Sequence, residues 1–295
     1  MHGSKTSVLD HVLELAANDW RHWLKAAFEA CREAGEVERH YFLAPELAVE
    51  SKADSTPVTA ADRGAEAAIR EILKKRTPEF GVLGEEFGAD GDQRDRWVID
   101  PLDGTKNFVA GLPHFAILLG LEIDGQRAFG CVHCPALGPG QEEPAHPMEC
   151  GRTWWAARGL GAFRGTGTDP LSERWTRLSV QEQDDLSQAS VIHGGLVHFQ
   201  TNGLWPALTE LVPKVGRTRG FGDFWGHMLV AEGRATAMID PVVAYHDVAA
   251  IEPIVEEAGG VFRTRGGKPL GPSYVDSALS VNADLAGEFI ESLGF

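Results

Sequence analysis

The chain has 295 residues, 43% hydrophobic and 24% charged, with a formal charge of −16 from 27 Lys and Arg against 43 Asp and Glu. That is the balance of a globular enzyme with enough chain for one large domain, or for two lobes around a shared site. The acidic excess supplies no basic stripe for nucleic acid or an anionic membrane, no apolar run reaches the roughly 18 residues that span a bilayer, and no signal-peptide core follows Met1, so a cytoplasmic protein is expected.

From about Val8 to Tyr41, the residues Trp20, Trp23, Leu24, Ala27, Phe28, Cys31 and Ala34 recur at spacings of three and four, which predicts helix with a buried stripe. Asn18-Asp19 is placed to cap a second helix after a short first one. An extended segment from Val49 then runs into a helix over 60–76. Thr59 and Asp62 have the spacing of a capping box, and Ala65, Ala68, Ile69, Ile72 and Leu73 form the buried face. Capping accounts for Asp62 unless the helix end points into a site.

After Thr77-Pro78, a short strand from Phe80 to Leu83 leads to Gly84-Glu85-Glu86-Phe87-Gly88. Adjacent glutamates in a glycine-flanked loop are either solvated or held by a cation. Next comes Arg96-Trp-Val-Ile-Asp100-Pro-Leu-Asp103-Gly-Thr105. Trp97, Val98 and Ile99 are strand formers that deliver Asp100 to a strand end, Pro101 interrupts the ladder, and Gly104-Thr105 make a tight turn with free amides. Two acids three residues apart followed by amide donors suit hard cations on one side and phosphate on the other; capping of backbone N–H groups is the plainer reading.

Phe115 to Ile123, the Asp124-Gly125 turn and Arg127 to Cys134 predict an antiparallel hairpin. Cys131 and Cys134, with His146 and Cys150, approach a zinc-ligand spacing, but residues three apart on a strand point to opposite faces, which favours buried free thiols. Residues 138–151 read as a surface loop. Strands follow at Trp154–Ala157, Gly159–Phe163 and Arg177–Ser179, with 164–176 connecting an N-terminal lobe (1–165) to a C-terminal lobe (177–295). In the second lobe, strands at 191–192, 217–218 and 235–239 alternate with helices near 205–211 and over 222–232, an α/β layer pattern. The last helix reads from about His246 to Ala258 and stops at Gly259-Gly260. The helix dipole alone accounts for Asp247 in its first turn.

Together, Lys52 with Pro57-Val-Thr-Ala-Ala-Asp62, Gly84-Glu85-Glu86, Trp97 to Thr105, and Asp247-Val-Ala-Ala with Glu257-Ala-Gly-Gly260 resemble the motifs of the inositol monophosphatase family, the lithium-sensitive magnesium phosphatases, over about 49–260. The resemblance implies an α/β/α/β/α sandwich that often dimerises. It implies one Mg2+ on Glu85, Asp100 and the carbonyl of Leu102, a second on Asp100, Asp103 and Asp247, and a weaker third near Glu85, so two to three ions in all. Thr105 and Asp62 would orient and deprotonate the attacking water, Glu86 would stand behind the ligands, and the amides of Gly104 and Thr105 would cradle the phosphoryl oxygens. Hard oxygen donors suit magnesium better than zinc, and metal-activated water needs no covalent enzyme intermediate. One departure stands out: family members commonly carry Trp before the last ligand aspartate, where this chain has His246, read as a packing or supporting replacement.

The segment Arg217 to Trp225, with Asp240-Pro241, looks most like the histidinol-phosphate phosphatase branch of that family. Asp223 at a helix start and Asp240 seven residues before Asp247 would together favour a cationic leaving group bearing an amine and an imidazole, where inositol offers only hydroxyls. The plainer reading of Asp223 is a helix cap. The expected activity is therefore hydrolysis of a small phosphorylated metabolite, L-histidinol phosphate first. Inositol 1-phosphate or another sugar or nucleotide phosphate is the alternative within the enzymes, and a catalytically silent cation-binding relative is the alternative outside them.

Overall fold

One continuous helix, α1 (Val8–Tyr41), stands where two were expected. Asn18 does not break it, because its side-chain amide donates to the Glu14 carbonyl one turn back at 2.9 Å and so joins the ladder it was expected to cap. The computed structural model describes residues 8–42, 44, 49–51, 57–137, 151–169 and 175–295. Lys52, His146, Cys150, the expected loop over 138–150 and the Thr59 side chain of the expected capping box lie outside what it describes.

A short antiparallel pair, β1 (Val49–Ser51) and β2 (Pro57–Thr59), leads into α2 (Ala60–Arg76). The large sheet holds β3 (Gly81–Gly84), β4 (Gly88–Asp90), β5 (Arg96–Asp103), β6 (Ala116–Ile123), β7 (Gln126–Cys134), β8 (Arg152–Ala157), β9 (Gly161–Thr166) and β10 (Thr176–Arg177). Their order is β10-β9-β8-β7-β6-β5-β3-β4, antiparallel throughout except that β3 and β5 run parallel. A one-turn helix, α3 (Thr105–Val109), follows β5. The expected hairpin forms, with Asp124 and Gly125 both at positive φ in its two-residue turn.

A second sheet contains β11 (Ser190–His193), β12 (Arg217–Arg219), β13 (Ala237–Ala244), β14 (Val261–Thr264) and β15 (Val275–Val281), in the order β12-β11-β13-β15-β14. Around it lie α4 (Leu196–Thr201), α5 (Trp205–Leu211), α6 (Asp223–Ala231), α7 (Tyr245–Val248), α8 (Ile251–Glu257) and α9 (Ala286–Leu293).

Strand alternation builds the layers. Trp97 and Ile99 of β5 face α1 and α2, packing with Trp23, Phe28 and Ile69. Val98, between them, faces the other way and joins Phe224 and Met228 of α6, Ile254 of α8 and Ala278 of the second sheet. On that sheet's far side Val191, Ile239 and Leu279 pack with Phe199, Leu208 and Phe289 of α4, α5 and α9. The result is an α/β/α/β/α sandwich. Cys131 and Cys134 fall into different layers by the same alternation: Cys131 Sγ lies 4.0 Å from Cys31 Sγ, while Cys134 Sγ faces the Pro113 carbonyl at 3.4 Å.

The expected last helix is two helices, and it is not the last. Pro253 has no N–H to offer the Ala249 carbonyl, so a continuous helix would lose that bond, whereas at the third position of a fresh helix the loss is harmless. The break packs directly on β6: a Cβ at Gly120 would lie 2.8 Å from the Ala249 carbonyl carbon and oxygen. Beyond it the chain adds β14, β15 and α9. Among the described residues no helix is long and apolar enough to cross a membrane.

Candidate active site

Parallel pairing of β3 and β5 sets Gly84 beside Ile99, and the Glu85 N–H donates to the Ile99 carbonyl at 3.2 Å. Glu85 and Asp100 thus leave neighbouring strands at the same end. Opposite β6, Asp100 pairs with Leu118 and Asp103 with Ala116, so two residues of β5, Pro101 and Leu102, face the single Ile117. This bulge turns both acids toward one side of the sheet. Asp100 Oδ1 accepts the Leu102 N–H at 3.0 Å, the backbone-capping role read from sequence, and its carboxylate still faces the cluster.

Gly104 then takes φ 82°, and a Cβ there would stand 2.8 Å from the His114 carbonyl, so both conformation and space require glycine. The turn presents the Thr105 hydroxyl 3.0 Å from the Leu102 carbonyl and 3.3 Å from Asp62 Oδ1. Leu102, Phe108 and Phe115 pack with Ala61 and hold the start of α2, and with it Asp62, against this turn.

Asp247 lies in the first turn of α7. Its Oδ2 accepts the Ala244 N–H at 2.8 Å, and its Oδ1 lies 3.2 Å from His246 Nε2. Capping and a site role are compatible because a carboxylate has two oxygens. Ligand atoms of Asp100, Asp103 and Asp247 fall within 4.8 Å of one another, and so do those of Glu85, Asp100 and His246. Asp100 belongs to both groups.

Asp223 is not the helix cap the plainer reading made it: Gly222 holds the cap position of α6, and the Asp223 carboxylate accepts a 2.8 Å hydrogen bond from Asn107 Nδ2. The residue sits at φ 49°, in the left-handed region that aspartate tolerates at a cost. Asp240 is buried at a bulge of β13, and a Cβ at Gly194 would lie only 2.8 Å from its Oδ1.

Burial is the first cause of the electrostatic tension here. It raises the Asp100 carboxyl well above the ordinary range, with further upward pushes from Glu85, Asp103 and Asp247. Asp103 is raised the same way, by burial and then by Asp223 and Asp247. Asp240 is raised by burial, Asp223 and Asp247. Among the described residues neither Asp100 nor Asp103 has a lysine or arginine salt bridge. Converging buried carboxylates of which Asp100 and Asp103 have no such bridge among the described residues are the donor set of a hard divalent cation, which would relieve their repulsion.

The structure thus gathers Asp62, Glu85, Asp100, Leu102, Asp103, Gly104, Thr105 and Asp247 at one place, with Asp223 and Asp240 beside them. Sequence reasoning missed two supports. Glu66 is fully buried, accepts the N–H groups of Glu86 (2.6 Å) and Phe87 (3.2 Å), and pairs with Arg70 at 2.7 Å, so it fixes the loop carrying Glu85. In sequence it resembles an ordinary exposed i,i+4 pair, although Gly84, where a Cβ would meet Glu66 Oε1 at 1.9 Å, is the trace of its approach. Asn107 binds Asp223 and also donates to the His114 carbonyl at 2.9 Å, a link across 116 residues that no local pattern carries.

The inositol monophosphatase family profile matches residues 19–293. A histidinol-phosphatase of Streptomyces coelicolor is 40% identical over 81% of this chain and 85% of its own. A histidinol-phosphatase of Mycobacterium tuberculosis is 38% identical over 92% of this chain and 97% of its own. Among solved structures, an inositol monophosphatase from Anabaena superposes with a TM-score of 0.73 at 26% identity, covering 94% of this chain and 96% of that one.

Proposed function

This chain belongs to the inositol monophosphatase family of magnesium-dependent phosphoric monoester hydrolases, and within it we propose that the substrate is L-histidinol phosphate, split by water into L-histidinol and phosphate. The observation that carries the phosphatase reading is the sharing of Asp100 between two clusters of metal-ligating side chains beside the Thr105–Asp62 pair.

In this reading Glu85, Asp100 and the Leu102 carbonyl would hold one cation and Asp100, Asp103 and Asp247 a second, with two to three magnesium ions in all. Bound magnesium supplies charge neutralisation for the phosphoryl group and the departing oxygen, and acidifies water. Thr105 and Asp62 orient the attacking water, and Asp62 takes its proton. The amides of Gly104 and Thr105 face the phosphoryl oxygens. Asp223 and Asp240 stabilise the ammonium and imidazole of the leaving alcohol, in keeping with the two histidinol-phosphatases at 38% and 40% identity. A phosphatase also accounts for the water-activating pair, which a silent cation binder would not use.

Inositol 1-phosphate is the second reading. The Anabaena structural neighbour favours it, and so does the existing Asn107 bond to Asp223, which leaves that carboxylate less available to an amine. The site would be one, shared by lobes 1–165 and 177–295 of a cytoplasmic protein, and a homodimer is what the family resemblance implies. The reading is tested by phosphate release from a panel of phosphate esters with magnesium and with excess EDTA: magnesium-dependent release is expected, and full activity in EDTA overturns it.

A further inference from the structure

His246 stands directly before Asp247 in the first turn of α7, and its side chain turns toward the acids. Nε2 lies 3.2 Å from Asp247 Oδ1 and 3.6 Å from Glu85 Oε2, and it shares with Glu85 and Asp100 a group of ligand atoms all within 4.8 Å. Its position is fixed from both sides, because β13 ends immediately before α7 and Asp247 ties the first turn to the Ala244 amide.

The spacing separates two uses of an imidazole among carboxylates. A charge-assisted N–H···O bond closes to about 2.7–2.9 Å. Adjacent donors on one six-coordinate ion, each about 2.1 Å from it, stand about 3 Å apart. The 3.6 Å separation from Glu85 Oε2 is long for the first and nearer the second, and the 3.2 Å approach to Asp247 Oδ1, an acid of the other cation, is also long for a charge-assisted bond. An indole has no free lone pair to offer at this position; an imidazole nitrogen has one.

We propose that His246 is a ligand of the cation held by Glu85 and Asp100, giving that position a mixed nitrogen and oxygen donor set that favours a first-row transition ion, with Mn2+ as the probe, over Mg2+. The inference rests on the reading above that these carboxylates hold cations. Nitrogen donors raise affinity for first-row transition ions and do little for magnesium, which seeks oxygen and keeps its waters.

The test uses the full chain, Mn2+ and Mg2+. Electron spin-echo modulation of bound Mn2+ reports directly coordinated 14N, and calorimetry gives both affinities in wild type, His246→Trp and His246→Gln. The proposal expects 14N modulation in wild type that both substitutions remove, and a fall of about tenfold or more in the Mn2+ over Mg2+ preference in each variant. Mn2+ that binds without 14N modulation, or a preference unchanged in folded variants, overturns the ligand role while leaving the phosphatase reading intact. Failure of wild type to bind either ion overturns both.

Discussion

The Asp103 carboxylate accepts the Phe224 backbone N–H at 2.8 Å, joining the end of β5 to the start of α6 across 121 residues. One oxygen therefore sets where the next residue back, Asp223, stands relative to the metal-side acids. Asp223→Asn keeps the helix start and its size but removes the charge offered to a cationic leaving group. We expect kcat/KM for L-histidinol phosphate to fall more than tenfold, about 1.5–3 kcal/mol, with inositol 1-phosphate spared. Equal losses on both substrates would remove Asp223 from recognition.

Asp100→Asn should abolish magnesium-dependent phosphate release without unfolding the protein, because an amide can still accept the Leu102 N–H that Asp100 accepts now. It also relieves buried repulsion from Glu85, Asp103 and Asp247. In EDTA the variant should therefore melt a few degrees above wild type, corresponding to about 1–2 kcal/mol. Added magnesium should raise the melting temperature of wild type and leave the variant unmoved. A variant that melts lower in EDTA would mean that the carboxylates are not in tension.

Glu66→Ala strips the acceptor from the Glu86 and Phe87 N–H groups and removes the partner of Arg70. Urea unfolding should register a loss of about 2–4 kcal/mol, with weaker magnesium binding as the Glu85 loop loosens. Glu66→Gln, which keeps one acceptor, should recover part of both. Unchanged magnesium affinity in Glu66→Ala would show that the loop is held by other contacts.

Much of this was legible in the sequence because the determinants are local. Trp97 to Asp103 reads as a strand with a break, Gly104 as a forced turn, and the Asp124-Gly125 hairpin as itself. The layered sandwich followed from family resemblance. What stayed hidden depends on distant partners or on strands buried on both faces. The stretch Val275–Val281 is interior to its sheet and lacks clean alternation, so β15 carries little signal. The break at Ala249 required weighing Pro253 against an otherwise continuous helical pattern. His246 read as a packing or supporting replacement for tryptophan, and only the fold shows its nitrogen facing Glu85 and Asp247.

His227 gives a pH signature away from the site. It is fully buried on α6, with Nδ1 2.7 Å from Ser280 Oγ, and burial lowers its pKa from 6.5 to about 3. Between those values the unfolded chain binds a proton that the folded chain refuses. Its contribution is thus whole above pH 6.5 and is lost as pH falls toward 3. The stability advantage of wild type over His227→Gln should shrink by about 1.4 kcal/mol per pH unit between pH 6 and 4. A difference independent of pH would mean that His227 takes up a proton in the fold as readily as in the unfolded chain.

The central claim is a magnesium phosphatase that selects a cationic alcohol as leaving group, and one comparison tests it most directly. Purified full-length protein in saturating magnesium is assayed for kcat/KM on L-histidinol phosphate and on inositol 1-phosphate under identical conditions. The account predicts turnover of both to depend on magnesium and L-histidinol phosphate to be preferred by at least about tenfold. A preference for inositol 1-phosphate would contradict it.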